Sequence, residues 1–154
     1  MDFKKASLII LAYVLFAATG LQAQTKYKAK GPIKHTAVGL KASIAAGEKV
    51  FSQYCVSCHQ ADALGVPHMN PPLVKTTYVL GDKTKLIKIV LNGFNEDVEI
   101  NGETYSNSMA SHDFLKDQEI ADVLTFVRNS FGNKASAITA AQVKAVRATN
   151  KAKG

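Results

Sequence analysis

The chain has 154 residues, of which 47% are hydrophobic, contains no Trp, and carries a formal net charge of +7. This length allows one domain with appendages, and after residue 23 no apolar run is long enough to cross a membrane. The net charge is +5 in residues 24–49, −4 in residues 50–132 and +5 in residues 133–154. Because the net positive charge is confined to the ends, and no basic patch is interleaved with aromatic rings, nucleic acid is a poor candidate as a partner.

Residues 1–23 are predicted to form a signal peptide. Lys4 and Lys5 provide a basic start, residues 6–21 are apolar and uncharged, and an acceptable cleavage site precedes Gln24. We therefore expect a mature protein that begins near Gln24 and resides in the periplasm. A retained membrane anchor is the alternative, but the sixteen residues of this run fall short of the ~20 that a span requires.

The two basic ends are predicted to be appendages of a central domain. Residues 24–41 combine Gly, Pro and scattered Lys without an apolar period, which is typical of a flexible basic linker. Residues 133–154 are expected to be a basic C-terminal extension with a short helix. The charge of these tails suits an anionic protein or a membrane surface. The simpler interpretation is that they are solvated and have no function.

Three amphipathic helices are predicted between the tails. Ser43 is the expected N-cap of the first, whose apolar residues recur at helical spacing up to residue 54. Asp82 is expected to cap the second helix, which Gly93 ends. A third helix begins at Asp117, because apolar residues follow it at i, i+3, i+4 and i+7, and it ends before Gly132.

Shorter elements surround these helices. Residues 60–81 are rich in turn-forming Gly, Pro and Asn, and Asn101-Gly102 between alternating residues predicts a hairpin. Near the C-terminus, residues 139–142 form a capping box that Ile138 and Val143 flank as a hydrophobic staple. We expect the helix that follows to dock on the central domain rather than on a partner.

The most informative motif is Cys-Val-Ser-Cys-His at residues 55–59, which uses both cysteines of the chain. Cys55 and Cys58 can add to the vinyl groups of a haem as thioethers, and His59 can then ligate the iron. The same letters also occur in redox dithiols and in half of a zinc site. A dithiol is expected in a βαβ context, which is missing, and a zinc site needs two more ligands. The remaining imidazoles, none in a paired spacing, belong to His35, His68 and His112.

With this motif, residues 42–132 resemble an exported bacterial class I mono-haem cytochrome c. Gly47 and Phe51 match the positions where the first helix of that family crosses the last, and Val123 and Phe126 match the residues that they meet. The resemblance implies an all-α fold with three main helices around one covalently attached haem c. It also implies a distal methionine loop, which here follows the predicted short hairpin, and this chain adds a C-terminal helix.

The resemblance also implies the iron ligands. His59 is the expected proximal ligand, and Met109, on the loop after the hairpin, is the expected distal ligand. The Pro71 carbonyl is expected to accept the Nδ1 proton of His59, which orients the imidazole and strengthens it as a donor. Three other side chains are rivals for the distal position: Met69, His68 and His112.

Three positions depart from the family pattern. Many members have Pro directly after the distal methionine, where this chain has Ala110. Lys116 precedes the last helix at a position where Ser or Thr is common. With no Trp available to bind a haem propionate, Tyr78 or Tyr105 is expected to substitute.

We therefore expect a periplasmic one-electron carrier and not an enzyme, since His59 and Met109 leave no open coordination position on the iron. Its expected partners are redox proteins: a dehydrogenase as donor and an oxidase or reductase as acceptor. One alternative is a haem subunit that docks on a single periplasmic dehydrogenase or oxidase through its basic tails. Another is a peroxidase-like or gas-binding protein in which Met109 dissociates easily.

Overall fold

The structure is a computed structural model in which residues 37–150 are described. The predicted signal peptide and residues 24–36 of the predicted linker lie outside this range. The described residues form helices and one hairpin in this order: α1 (Ala37–Tyr54), α2 (Val56–His59), α3 (Thr77–Leu80), α4 (Lys83–Asn92), β1 (Val98–Ile100), β2 (Glu103–Tyr105), α5 (Asp117–Asn129) and α6 (Ala140–Thr149). None of the helices between residues 37 and 150 has the length and apolar character of a membrane span.

The crossing of α1 and α5 forms the centre of the fold. A Cβ atom at Gly47 would lie 2.0 Å from the carbonyl oxygen of Asp122 and 2.8 Å from the Cβ atom of Phe126, so only glycine permits this approach. One turn later the ring of Phe51 lies 5.5 Å from that of Phe126. The predicted crossing of the first and last main helices is confirmed.

The predicted start of the first helix is wrong. The chain is already helical at Ala37, so residues 37–41 belong to α1 and not to a linker. Ser43 lies inside the helix, is 7% exposed, and donates its hydroxyl hydrogen to the Asp122 carboxylate at 2.5 Å. Its side chain therefore bonds to a distant helix instead of capping its own, which a local capping pattern does not reveal.

The predicted ends of the other main helices are confirmed. The Asp82 carboxylate accepts the Lys85 backbone N–H at 2.6 Å, and α4 ends at Gly93 with a φ of +77°. Helix α5 begins at Asp117 without a Ser or Thr cap. Instead the Glu119 carboxylate accepts the backbone N–H of the residue before the helix at 2.8 Å.

The predicted hairpin is also confirmed. Strands β1 and β2 are antiparallel, with Val98 opposite Tyr105. Asn101 and Gly102 have φ values of +56° and +84°, as a two-residue turn between twisted strands requires. Val98 and Ile100 line the central cavity, so the hairpin forms part of its wall.

The C-terminal helix docks on the central domain, as predicted. The Thr139 hydroxyl accepts the Gln142 N–H at 3.2 Å, and the Gln142 side chain accepts the Thr139 N–H at 3.0 Å, which completes the capping box. Ile138 and Val143 are fully buried. Helix α6 thereby covers α4 and α5.

Arg128 of α5 is buried, with 3% of its surface exposed. Its guanidinium donates to the carbonyl oxygens of Val79 at 2.5 Å, Ser136 at 2.9 Å and Gly81 at 3.4 Å. Within residues 37–150 no carboxylate forms an ion pair with it. Arg128 thus places a positive charge beside α3 and donates to three main-chain carbonyls.

Candidate haem site

A cavity of about 380 Å³ lies between α1, α4, α5 and the loops that connect them. Its volume is within the roughly 300–1,000 Å³ that small-molecule and cofactor sites occupy. Most of its wall is apolar, and the contributing side chains come from distant parts of the chain: Phe51, Leu86, Val90, Ile100, Leu124 and Val127. Such a wall suits a large apolar group with few polar contacts.

Both thiols and the adjacent imidazole lie on one wall of this cavity. Cys55 continues from α1 because its N–H donates to the Phe51 carbonyl at 2.9 Å, and the His59 N–H donates to the Cys55 carbonyl at 3.0 Å. One helical turn therefore carries Cys55, Cys58 and His59 to the same side. Burial, with a smaller contribution from Cys58, raises the pKa of Cys55 to about 11, so this thiol is uncharged at neutral pH.

The imidazole of His59 is oriented by the main chain. Its Nδ1 atom lies 3.0 Å from the carbonyl oxygen of Pro71 and is therefore the donor, which leaves the lone pair on Nε2. Burial lowers the pKa of His59, the Pro71 carbonyl opposes this effect, and His112 lowers the pKa slightly further. A neutral imidazole with a free Nε2 is the form that ligates a metal.

Met109 also lines the cavity, on a loop held against the end of α4. Its N–H donates to the Phe94 carbonyl at 2.8 Å, and the Phe94 N–H donates to the Met109 carbonyl at 2.9 Å. A Cβ atom at Gly93 would lie 2.4 Å from that same Met109 oxygen. The main chain of Met109 is thus bonded to Phe94 both at its N–H and at its carbonyl oxygen. Sequence reasoning missed this anchoring role of Phe94.

The structure separates Met109 from two of its predicted rivals. Met69 is 49% exposed and, like the exposed His68, is not among the residues that line the cavity. His112 does line it, and its Nδ1 atom donates to the Ala110 carbonyl at 2.9 Å. Of the predicted site residues, the structure brings Cys55, Cys58, His59, Met109 and Pro71 together at one cavity.

The loop before Met109 is bonded to the loop that follows the haem motif. The Asn107 N–H donates to the Met69 carbonyl at 3.1 Å, and its side-chain amide donates to the Asn70 side chain at 3.2 Å. The Ser106 hydroxyl donates to the His68 carbonyl at 3.5 Å. These bonds close one side of the cavity. Sequence reasoning missed them because no local pattern signals contacts between segments 37 residues apart.

The two tyrosines considered for a propionate differ in position. Tyr78 lines the cavity, with its ring edge-on to Phe94 and the Lys85 ammonium 4.4 Å from its ring centroid. Tyr105 is not among the lining residues, and its hydroxyl donates to the Glu103 carboxylate at 3.0 Å. Tyr78 is therefore the tyrosine placed to meet a group inside the cavity.

Comparison with known proteins identifies the family. The family model of cytochrome c matches residues 44–131. The chain is also 34% identical over 119 residues to cytochrome c-552 of Thermus thermophilus, in a match that spans 71% of this chain and 80% of that protein. The chain therefore belongs to the cytochrome c family.

Two further relatives are subunits of larger enzymes. The chain is 32% identical over 106 residues to the cytochrome c subunit of the quinone alcohol dehydrogenase of Gluconobacter oxydans. It is 33% identical over 105 residues to the gluconate 2-dehydrogenase cytochrome c subunit of Pantoea cypripedii. These matches span 68% and 66% of this chain but only 22% and 24% of the two relatives.

Family membership and the helical fold define an electron-transfer protein of the class I cytochrome c type. Such a protein carries one covalently bound c-type haem and is not an enzyme. The alternative interpretations of residues 55–59, as part of a zinc site or as a redox dithiol, are thereby set aside. The cavity fits this cofactor, since its apolar wall also holds two thiols, an imidazole with a free Nε2 and a thioether.

Proposed function

We propose that this protein is an exported one-electron carrier in which Cys55 and Cys58 hold the haem and His59 and Met109 ligate its iron. The observation that carries the proposal is that these four side chains line one apolar cavity. Pro71 contributes the carbonyl that accepts the Nδ1 proton of His59 at 3.0 Å.

The bound haem supplies a centre that takes up and releases one electron. His59 presents Nε2 in a fixed direction because Nδ1 is bonded to Pro71, and this bond increases its donor strength. Met109 presents a soft, neutral thioether, which favours the ferrous state and raises the reduction potential. The main-chain bonds of Met109 to Phe94 keep that thioether at the cavity.

The remaining wall excludes water from the centre. Leu86, Val90, Leu124 and Val127 are buried, and together they provide a low-dielectric surround. Apolar side chains reorient little when the haem gains or loses one charge, so electron transfer requires little structural rearrangement. If His59 and Met109 both ligate the iron, no coordination position would be left for oxygen or peroxide.

We place this carrier in the periplasm, between a dehydrogenase that reduces it and an oxidase or reductase that accepts its electron. The signal-like character of residues 1–23 supports export. Relatives that are subunits of dehydrogenases support a dehydrogenase as the donor. The basic residues of the two tails favour anionic partners or an anionic lipid surface.

A second candidate is a haem subunit that stays docked on one periplasmic dehydrogenase, as the names of two relatives suggest. The described domain begins by residue 37 and includes α6, so a deletion of residues 24–36 and 151–154 removes basic tail without removing a described helix. If the protein is a docked subunit, the dehydrogenase should reduce this variant more slowly, and the rate should depend less on salt. A diffusing carrier that does not use its tails should keep both the rate and its salt dependence.

The optical spectrum of the purified protein tests the proposed ligands. A c-type pyridine adduct reports thioether attachment, and a weak sulfur-to-iron charge-transfer band in the ferric state reports methionine ligation. Met109→Ala should abolish the band, and the matched variant Met69→Ala should retain it. Survival of the band in Met109→Ala refutes the distal assignment. Rapid, stoichiometric binding of carbon monoxide by the reduced protein supports the gas-binding alternative instead.

A further inference from the structure

We propose that the C-terminal helix α6 is a positioning element for the distal methionine, acting through Arg147 and Asn150. This inference rests on the proposed ligation by Met109. We call residues 106–116 the methionine loop. Arg147 lies in the last turn of α6 and binds the end of this loop, and Asn150, the residue directly after α6, binds the end of α4.

Arg147 holds the segment that leaves the loop. Its guanidinium donates to the Asp113 carbonyl at 2.9 Å, to the Leu115 carbonyl at 2.8 Å and to the Asp117 carboxylate at 2.8 Å. Three donors in one rigid plane fix three acceptors relative to each other, which a lysine ammonium does not do as well. The end of the methionine loop and the start of α5 are therefore bonded to one side chain.

The segment that Arg147 holds leads directly to the cavity. Leu115 is 4% exposed and lines the cavity, and its N–H donates to the His112 carbonyl at 3.1 Å. His112 in turn donates its N–H to the Val90 carbonyl of α4 at 2.9 Å. A displacement of Leu115 therefore passes to the main chain three residues from Met109.

Asn150 holds the opposite support. Its side-chain amide and that of Asn92 donate to each other, at 2.7 Å and 3.1 Å. Asn92 is the last residue of α4, and the next two residues, Gly93 and Phe94, form the close contacts with the Met109 main chain. The far end of α6 is thus bonded to the strand-like segment that pairs with Met109.

Helix α6 is itself a firm support. Val143 and Val146 are buried against the domain, and a complete capping box begins the helix. The loop that it holds has Ala110 directly after the methionine, a residue with more backbone freedom than proline. External bonds from α6 reduce the conformations open to this loop, and so lower the entropic cost of keeping the thioether on the iron.

The effect is expected to be local and not a general loss of stability. The side chains of Arg147 and Asp117 are 34% and 29% exposed, and partly exposed ion pairs contribute little to global folding. A purely structural role of α6 predicts that ligation and folding are lost together. A positioning role predicts that ligation is lost first.

The test uses the full holoprotein and follows two signals during urea denaturation: the sulfur-to-iron band and far-ultraviolet circular dichroism. Arg147→Gln and Asn150→Ala should lose the band at lower urea than the helical signal. Reduced protein of either variant should bind carbon monoxide about tenfold faster than the wild type. Arg147→Lys should resemble Arg147→Gln, because the ammonium does not reproduce the three-donor plane.

Two matched variants separate positioning from stability. Lys144→Gln removes an exposed charge from the same helix and should leave both signals unchanged. Val143→Ala opens a cavity beneath α6 and should move both midpoints down together. If the band and the helical signal of Arg147→Gln are also lost together, the inference is wrong. A wild-type protein without the band refutes the proposed Met109 ligation itself, and with it this inference.

Discussion

Gly47 lies against Asp122 so closely that a Cβ atom at position 47 would be 2.0 Å from the Asp122 carbonyl oxygen. The obstacle is main chain of α5, so no side-chain rotation relieves it. Phe51 and Val123, next to this contact, line the cavity. The distance between α1 and α5 thus fixes the shape of the site as well as the packing of the core.

Gly47→Ala should therefore separate the two helices. We expect a loss of about 1–3 kcal/mol in the free energy of unfolding, the usual range for overpacking, and a lower yield of haem-loaded protein. Urea denaturation and the haem-to-protein absorbance ratio measure the two effects. Glu48→Ala, at the exposed neighbouring position, is the control. Equal stability of the two variants contradicts the assigned contact.

The hydroxyl of Ser43 is expected to contribute to stability through the buried carboxylate of Asp122. That carboxylate accepts from Ser43 at 2.5 Å and from the Gln118 side chain at 2.9 Å. Ser43→Ala leaves it with one fewer donor and should cost about 1–3 kcal/mol in unfolding free energy. Ser52→Ala, exposed on the same helix, should cost much less. A similar loss in both variants argues against a specific bond.

Arg128 is expected to raise the reduction potential. Its positive charge is buried beside Val79, which lines the cavity, and a nearby cation favours the state with the additional electron. Arg128→Met should lower the potential and also destabilise the fold, since three carbonyls lose a donor. Redox titration against Arg128→Lys separates the two effects, because lysine keeps the charge. If the wild type, Arg128→Met and Arg128→Lys have the same reduction potential, the electrostatic role of Arg128 is excluded.

The free energy of unfolding should depend on pH through the phenol of Tyr105. Burial, followed by the hydrogen bond and charge of Glu103, raises the pKa of Tyr105 above its usual value. The folded state therefore holds the phenolic proton more tightly than the unfolded state. This contribution to stability is complete below about pH 10, the usual tyrosine value, and is lost as the pH rises through the raised value.

The comparison of wild type with Tyr105→Phe measures this contribution. The difference between their unfolding free energies should be constant up to about pH 9 and should then fall as the phenol ionises in the unfolded wild type. In a Glu103→Gln background the fall should begin at the same pH but should be smaller and end at a lower pH, because one cause of the raised folded-state pKa is removed. A difference that stays constant at high pH rules out the raised pKa.

Local patterns were sufficient to predict most of the fold. The Asp82 cap, the Asn101-Gly102 turn and the capping box at Thr139 depend on neighbours within a few residues, and all three are present. The motif at residues 55–59 is equally local. Such features are decided by backbone geometry and short side-chain reach, which the order of residues fully specifies.

What sequence reasoning missed depends on contacts between distant segments. Ser43 has the residue type of a cap, but its partner Asp122 lies 79 positions away. In the sequence Phe94 is an ordinary apolar residue, and only the structure shows that its main chain pairs with that of Met109. Arg147 belongs to a tail-like basic segment, and only the docked position of α6 gives it two acceptors in the methionine loop and a third at the start of α5.

The bonds of Asn107 to Met69 and Asn70 have a consequence for biogenesis. They join two segments of the cavity wall, so a chain that folds before it receives the haem has already bonded these segments to each other. We therefore expect attachment to precede closure, with the thiols of Cys55 and Cys58 captured while the polypeptide is still open. In this order of maturation, the bonds between these two loops form only after the haem is attached.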